Sequence, residues 1–351
     1  MIEKIRQNKE DKHSGKVKHI PCTIDRFNQY FHGIIKGDYV AFTGASSSGK
    51  TTLMKKIAVF DSIEYAIQTN LNLKIKYFGL EESEEQFDYS LLSYLLRKRY
   101  SLRYNIIDFN YINDGILPEH EEFIEEVQDE FELWKSYVIY HDHIYNPYGI
   151  YKTIRDFAQS RGQFFFKGNP VENEESWDTY IPDDPEEFII VIVDHMSLLM
   201  PEQKHNNKLD EAMKDMSFFL RNYSCKKFGY TSVSVQQQMG EQEDLEHIKN
   251  NRWMPSSQGL ADNKRLMRDY LTVIGIGNPN RYNVKTYDKY INLEDYSGFL
   301  RFISILKQRY GVVDKVMGVF FDGKCGYIKA APKPDDTPSM RAMLDKIKEY
   351  L

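Results

Sequence analysis

Eight consecutive residues, Gly44-Ala45-Ser46-Ser47-Ser48-Gly49-Lys50-Thr51, fit G-x-x-x-x-G-K-[ST] at every fixed position. The chemistry such a run can do is phosphate binding. Gly44 and Gly49 let backbone N–H groups converge on phosphate oxygens, and a helix opening at the end of the run adds positive potential. Lys50 is placed to reach the β- and γ-phosphates of ATP, the Thr51 hydroxyl to ligate Mg²⁺, and Thr52 to continue the cradle. Such a loop needs an acid at the end of a nearby strand to hold the ion through water. The apolar run 189–193 leads directly into Asp194, which makes Thr51 and Asp194 the expected metal residues. Hydrolysis further needs a group that orients and deprotonates water. The run 75–80 ends in Glu81-Glu82, and Glu81 is the favoured base, with Asp194 and Glu81 on strands expected beside the loop strand.

Strands and helices must hold these groups at one edge of a sheet. Residues 39–43 read as a short strand entering the loop. Residues 51–65 place Leu53, Ile57, Phe60 and Ile63 at helical spacing. A strand at 74–80 and a helix at 84–99 follow. Further strands are predicted at 137–140, 188–193, 230–235 and 270–276, and helices at 150–160 and 208–228. Residues 161–187 read as a Pro/Asp/Glu-rich connection, and 299–306 with 316–321 as a late hairpin. The continuous apolar character of 188–193 suits a strand buried on both faces of a parallel sheet. Alternation of strand and helix predicts an α/β fold, a P-loop NTPase core with helices on both faces.

Five stretches in order then resemble one family. Gly33-Ile34-Ile35-Lys36-Gly37-Asp38 resembles the G-(L/I)-x-x-G-D lead-in of RecA-type ATPases. Phe78-Gly79-Leu80-Glu81-Glu82-Ser83-Glu84-Glu85-Gln86 is similar to the F-S-L-E-M-x-x-E-Q motif of DnaB-like replicative hexameric helicases. Val193-Asp194-His195-Met196-Ser197-Leu198-Leu199-Met200 resembles their I-D-Y-L-Q-L-M stretch. Ser232-Val233-Ser234-Val235-Gln236-Gln237 resembles a strand ending in S-Q, and Leu306-Lys307-Gln308-Arg309-Tyr310-Gly311 matches K-x-R-x-G. The resemblance spans about residues 25–330. It implies a RecA-like core, ATP and Mg²⁺, Glu81 as base, Asp194 as the metal acid and Gln236 as γ-phosphate sensor. It further implies that Lys307 and Arg309 reach into a neighbouring subunit's site, hence a ring oligomer, a hexamer in that family. This chain departs from the pattern in three places. His195 stands where the family has Tyr. Val-Gln-Gln leaves Gln236 and Gln237 both open as the sensor. The stretch from Glu81 to Asp194 is long, with an insertion at about 100–187.

The segment 256–268 resembles the family loop that touches single-stranded DNA. Lys264, Arg265 and Arg268 are the expected phosphate contacts, and Gly259 is expected to let backbone N–H groups approach. A second, weaker candidate at 238–253 holds Lys249, Arg252 and Trp253. The reading is an ATP-driven DNA helicase acting on single-stranded DNA or a forked duplex. A RecA-type strand-binding recombinase or loader is the alternative from another class. A packaging-type motor needs clustered carboxylates of a nuclease after Arg309, and the late acids are too few and scattered.

Composition fits these readings. The 351 residues carry 46 Lys+Arg against 52 Asp+Glu, a net charge of −6, so DNA contact must be confined to local basic loops. Eight acids fall within 119–132, read as a solvated helical face. Cys22, Cys225 and Cys325 are odd in number and far apart, which points to a reducing, cytoplasmic setting and to no disulfide framework. The longest apolar run is about a third of a membrane span, so no membrane partner is expected. Residues 1–24 read as a basic arm or linker, six of the first 19 being Lys or Arg. Residues 25–330 read as the ATPase domain, in a short, phage-like form without the family's N-terminal domain. Residues 331–351 read as a tail with a short helix capped by Ser339, a place where a primase, polymerase or loader could dock.

Overall fold

The computed structural model describes the chain except residues 14–15, 113, 172–176, 239–252, 258, 261–263, 288–290, 297, 310 and 351. Its framework is a nine-stranded sheet. In chain order the strands are β1 (Tyr39–Gly44), β2 (Leu73–Gly79), β3 (Val138–His141), β4 (Phe188–Asp194), β5 (Thr231–Gln237), β6 (Thr272–Gly277), β7 (Leu300–Gln308), β8 (Val316–Asp322) and β9 (Tyr327–Ala330). Across the sheet they run β9-β8-β7-β6-β1-β5-β4-β2-β3. The six from β6 to β3 pair in parallel. From β6 outward through β7, β8 and β9 the pairing is antiparallel. This is a RecA-like α/β core with a late hairpin, and the hairpin gains a third strand, β9, that the sequence reading does not contain.

Strands β1 and β4 are buried at every residue, as a parallel strand covered on both faces requires. Beyond β1 the chain is helical from Lys50 to Thr69, with a wider π-helical stretch at Lys55–Phe60. Leu53, Ile57, Phe60 and Ile63 all enter the core on one side of the sheet. The helix Glu84–Tyr100 starts at Ser83, whose hydroxyl accepts from Gln86 N–H while the Gln86 side chain accepts from Ser83 N–H. The predicted acidic helix is Glu121–Lys135. It buries Val127 and Trp134 and turns its acids outward, which spreads that charge over solvent.

Two expectations are corrected. Residues 161–187 are not a bare connection. Gly162–Phe166 pairs with Asn169–Val171 and with Thr179–Pro182 in a separate antiparallel sheet. Its hairpin turns at Lys167-Gly168, both at positive φ, and Phe164, Trp177, Tyr180 and Phe228 pack together beneath it. The last helix, Thr337–Lys348, is capped by Asp336 rather than by Ser339. The Asp336 carboxylate accepts from Ser339 N–H, and Pro338 suits the first turn, where its missing N–H is not needed. The arm begins with a helix, Ile2–His13. Among the described residues no helix is long and apolar enough to cross a membrane.

Candidate nucleotide site and its surroundings

The phosphate loop leaves β1 at its carboxyl end. A Cβ on Gly44 would lie 2.5 Å from Ile276 O, and one on Gly49, at φ +101°, 2.5 Å from the Phe321 ring. Both fixed glycines are thus demanded by neighbouring strands β6 and β8 as well as by the turn. Ser46 is half-buried and Ser47 exposed, while Ala45 and Ser48 are buried. Ser48 Oγ has no hydrogen-bond partner among the described residues. Lys50 is folded onto the loop, its Nζ donating to Ala45 O at 2.9 Å. Arg281, absent from the sequence reading, donates from Nη1 to Ser46 O at 2.9 Å.

Asp194 and Thr51 come together, but not by the strand adjacency that the sequence suggested. The neighbours of β1 are β5 and β6; β5 separates it from β4, and β2 lies one strand further out. The helix after the loop closes the gap. Thr51 Oγ1 donates to Asp194 Oδ1 at 3.1 Å, and Tyr77 OH donates to Oδ2 at 2.7 Å. Asp194 is 1% exposed. Burial pushes its carboxyl up to about 6, against the hydrogen bond from Tyr77. An all-oxygen pair of one hydroxyl and one carboxylate fits Mg²⁺, which keeps several waters and shares phosphate oxygens. No group of three or more His, Cys, Asp or Glu suited to a metal occurs among the described residues.

The two consecutive acids differ in surroundings. Glu82 is held by Lys55 at 2.6 Å, and Tyr140 OH donates to its carbonyl at 3.0 Å. Glu81 is 56% exposed, with Oε2 3.4 Å from His195 Nε2. Burial, the largest influence, and Lys50 lower the His195 pKa, while Glu81 opposes them, so the ring is neutral at pH 7. Because the Glu81 carboxylate only accepts, the tautomer that suits it carries its proton on Nε2, and Nδ1 then accepts from the Ser197 hydroxyl 2.6 Å away. Thr51, Thr52, Glu81, Glu82, Asp194 and Lys324 line one cavity of about 440 Å³.

Neither sensor candidate lines that cavity. Gln236 is buried, and its Oε1 accepts from Tyr270 OH at 3.0 Å, while Gln237 points the other way and is exposed. Gln238 is a functional candidate that the sequence reading lacks. Its Nε2 donates to Thr43 Oγ1 and to Ser256 O, both at 3.1 Å, linking β1 to the segment beginning at Ser256. Period-2 alternation through Gln236-Gln237-Gln238 is the signal that points to it.

Lys307 and Arg309 lie at the opposite edge of the sheet from this chain's own loop. Gln308 pairs with Thr272, the first residue of β6, whereas Gly44 packs against Ile276 near its end. Lys307 Nζ donates to the Met267 and Arg268 carbonyls at the end of the helix Lys264–Asp269. Arg309 is exposed.

Gly259 is buried, and its N–H is taken by Ser256 Oγ at 3.2 Å, so the expected open amide is engaged within the loop. Arg268 is exposed; Lys264 and Arg265 sit on the same short helix, their side chains outside the described residues. Of the second candidate segment, Lys249 and Arg252 lie outside the described residues. Trp253 is buried edge-on against Phe302 at 5.2 Å, a core role rather than a stacking platform for bases.

Fold and loop together define a RecA-type P-loop core. More particularly, the fold is that of the ATPase domain of DnaB-like replicative helicases. A solved ATPase domain of this kind matches at TM-score 0.67 with 14% identity, over 95% of this chain and 99% of that one. A DnaB-like replicative helicase, described with its interactions with primase, matches at TM-score 0.61 with 13% identity, over 94% of this chain and 66% of the other. By sequence, no family model and no curated protein matches.

Proposed function

We propose that the chain is an ATP-driven DNA helicase motor that works as a ring on single-stranded DNA and opens a duplex fork. The observation carrying this is the meeting of Thr51 and Asp194 at 3.1 Å on the same cavity as the unneutralised Glu81. Thr51 and Asp194 are the residues to hold Mg²⁺, which when bound neutralises charge on the β- and γ-phosphates. The loop amides and Lys50 orient the phosphates, after Lys50 releases Ala45 O. Glu81 takes the proton of the attacking water, with the neutral His195 fixing its orientation. Lys307 and Arg309, remote from their own loop, are assigned to the neighbouring subunit's site. Arg268, Lys264 and Arg265 are assigned to the DNA backbone. A primase, named with one of the structural neighbours, is the first partner to test alongside a polymerase or loader.

ATPase rates with and without single-stranded DNA, together with unwinding of a forked duplex, test the reading. Stimulated hydrolysis and unwinding, both lost in Lys50→Ala, are expected. A Lys50→Ala protein that unwinds as well as the parent overturns it. Closed rings in electron micrographs separate the proposal from a filament-forming strand-binding ATPase.

A further inference from the structure

A second cavity, also about 440 Å³, lies between the helix Glu84–Tyr100, strands β8 and β9 and the helix Thr337–Lys348. Arg97, Lys98, Lys329 and Lys346 line it, with Tyr327 and Tyr350, and no carboxylate of the described residues does. In a chain of net charge −6, four cations around one concavity stand out. We propose that this pocket binds a phosphate-bearing anion at a site separate from the nucleotide cleft.

The counter-charges lie behind the wall and are shared. Asp322, fully buried, serves both Arg97 and Arg103, the latter at 2.7 Å. Glu64 serves Lys98 at 2.9 Å. Neither Lys329 nor Lys346 has an ion pair among the described residues. Burial first, then Lys346 and Arg97, lower the Lys329 pKa, the direction expected where cations crowd without an anion. Aromatic rings lie against two of the cations without cancelling their charge. The Arg97 guanidinium lies 5.2 Å from the Tyr327 ring and 4.9 Å from that of Tyr350, and Lys329 Nζ lies 5.8 Å from the Phe320 ring. The pocket is therefore positive, and its volume falls within the usual range for small-ligand sites. A compact phosphate group, with several acceptor oxygens for ammonium and guanidinium donors, is the ligand chemistry it suits. Such a group arrives either on a free small molecule or as the terminal phosphate of a nucleic-acid strand.

The pocket also adjoins the cleft. Ser93 lines the cleft and Arg97 the pocket, one turn apart on the same helix, and residues 323–326, which line the cleft, directly follow Asp322. An anion drawn to Arg97 thus sits on the same helix that lines the cleft one turn earlier, at Ser93.

Isothermal titration of the full chain carrying Lys50→Ala, which removes the phosphate loop's own cation, tests the site. Inorganic pyrophosphate is the probe in one arm and a 5′-phosphorylated oligonucleotide, against its unphosphorylated twin, in the other. Pyrophosphate is expected to bind at one site per chain. Binding should weaken about tenfold or more in Lys329→Glu/Lys346→Glu, because two charge-assisted contacts become repulsive. Both lysines are solvent-exposed, so an unchanged circular-dichroism melt is expected to show that the fold survives. A preference for the phosphorylated oligonucleotide that disappears in the double variant assigns the site to a strand terminus; its absence, with pyrophosphate still bound, assigns it to free phosphate compounds. No pyrophosphate binding to the Lys50→Ala chain, or binding indifferent to the two substitutions, overturns the proposal. Because the loop lysine is already removed, neither result depends on the helicase reading.

Discussion

Lys55 Nζ lies 2.6 Å from one Glu82 carboxylate oxygen and 2.7 Å from the other, with Lys55 6% and Glu82 17% exposed. This pairing divides two adjacent acids of the same type. Glu82 is neutralised and fixed to the helix behind the phosphate loop. Glu81, one residue earlier, faces the cavity with only a neutral imidazole beside it.

Glu81→Gln and Glu82→Gln should therefore fail differently. Loss of the base is expected to lower kcat about 10²–10⁴-fold with nucleotide affinity kept. Loss of the ion-pair partner leaves Lys55 buried without its carboxylate and is expected to cost about 3 kcal/mol of stability. Steady-state kinetics and urea unfolding on both variants check the split. Equal loss of kcat with equal stability would mean that the two acids share the work.

Asp194 gives a pH prediction with a definite sign. Its folded pKa, about 6, lies above the ordinary 3.8, so the folded state binds the proton more tightly than the unfolded state. This contribution is fully present below 3.8 and is lost as pH rises through 6, leaving an ionised carboxylate buried at neutral pH. Asp194→Asn removes the ionisation. Relative to the parent it should gain stability across that window and stay ahead above it, by about 3 kcal/mol at roughly 1.36 kcal/mol per pKa unit. Mg²⁺-dependent nucleotide binding should be lost at the same time. Denaturant midpoints from about pH 4 to 8 measure the first effect and nucleotide titrations with and without Mg²⁺ the second.

The placement of Arg309 at the far edge of the sheet predicts complementation. Lys50→Ala leaves a defective loop and a sound Arg309; Arg309→Ala leaves the reverse. Each alone should be inactive as an ATPase. Mixed before assembly, they should regain part of the parent rate, because some interfaces then pair a sound loop with a sound arginine. A mixture as inactive as its components would place the action of Arg309 within its own subunit.

What was legible in the sequence follows from range. The phosphate loop is contiguous, so eight residues carry both its turn and its chemistry. Strand β4 shows itself through an unbroken apolar run, and Asp194 at its end needs no knowledge of the partner strands. Sheet order does not show, because β5 enters between β1 and β4 although it follows β4 in the chain with a long helical stretch between them. The small sheet at Gly162–Phe166 is hidden for a different reason. It is short, its turn is a Lys-Gly pair, and the aromatic side chains that stabilise it include Phe228 from far along the chain. Ser339 is a reasonable cap by residue type, but Asp336 captures the Ser339 amide, which only the geometry of the turn at residues 336–339 decides.

Gln238 escapes a reading by family resemblance because the motif ends at Gln236 and Gln237. Its amide joins Thr43, the last residue but one of β1, to Ser256, at the start of the segment assigned to DNA. Were DNA bound at that segment to shift it, this one side chain would carry the shift to the root of the phosphate loop. Gln238→Ala should leave basal hydrolysis within a few-fold of the parent and cost about 1–2 kcal/mol in stability for the hydrogen bonds lost. Stimulation by single-stranded DNA should fall towards unity, while DNA binding itself persists. The ratio of stimulated to basal rate, measured beside DNA affinity, separates this from simple damage to the site. A variant with lower basal activity but the parent's stimulation ratio would show that coupling runs elsewhere, with Gln236 and Tyr270 the next pair to test.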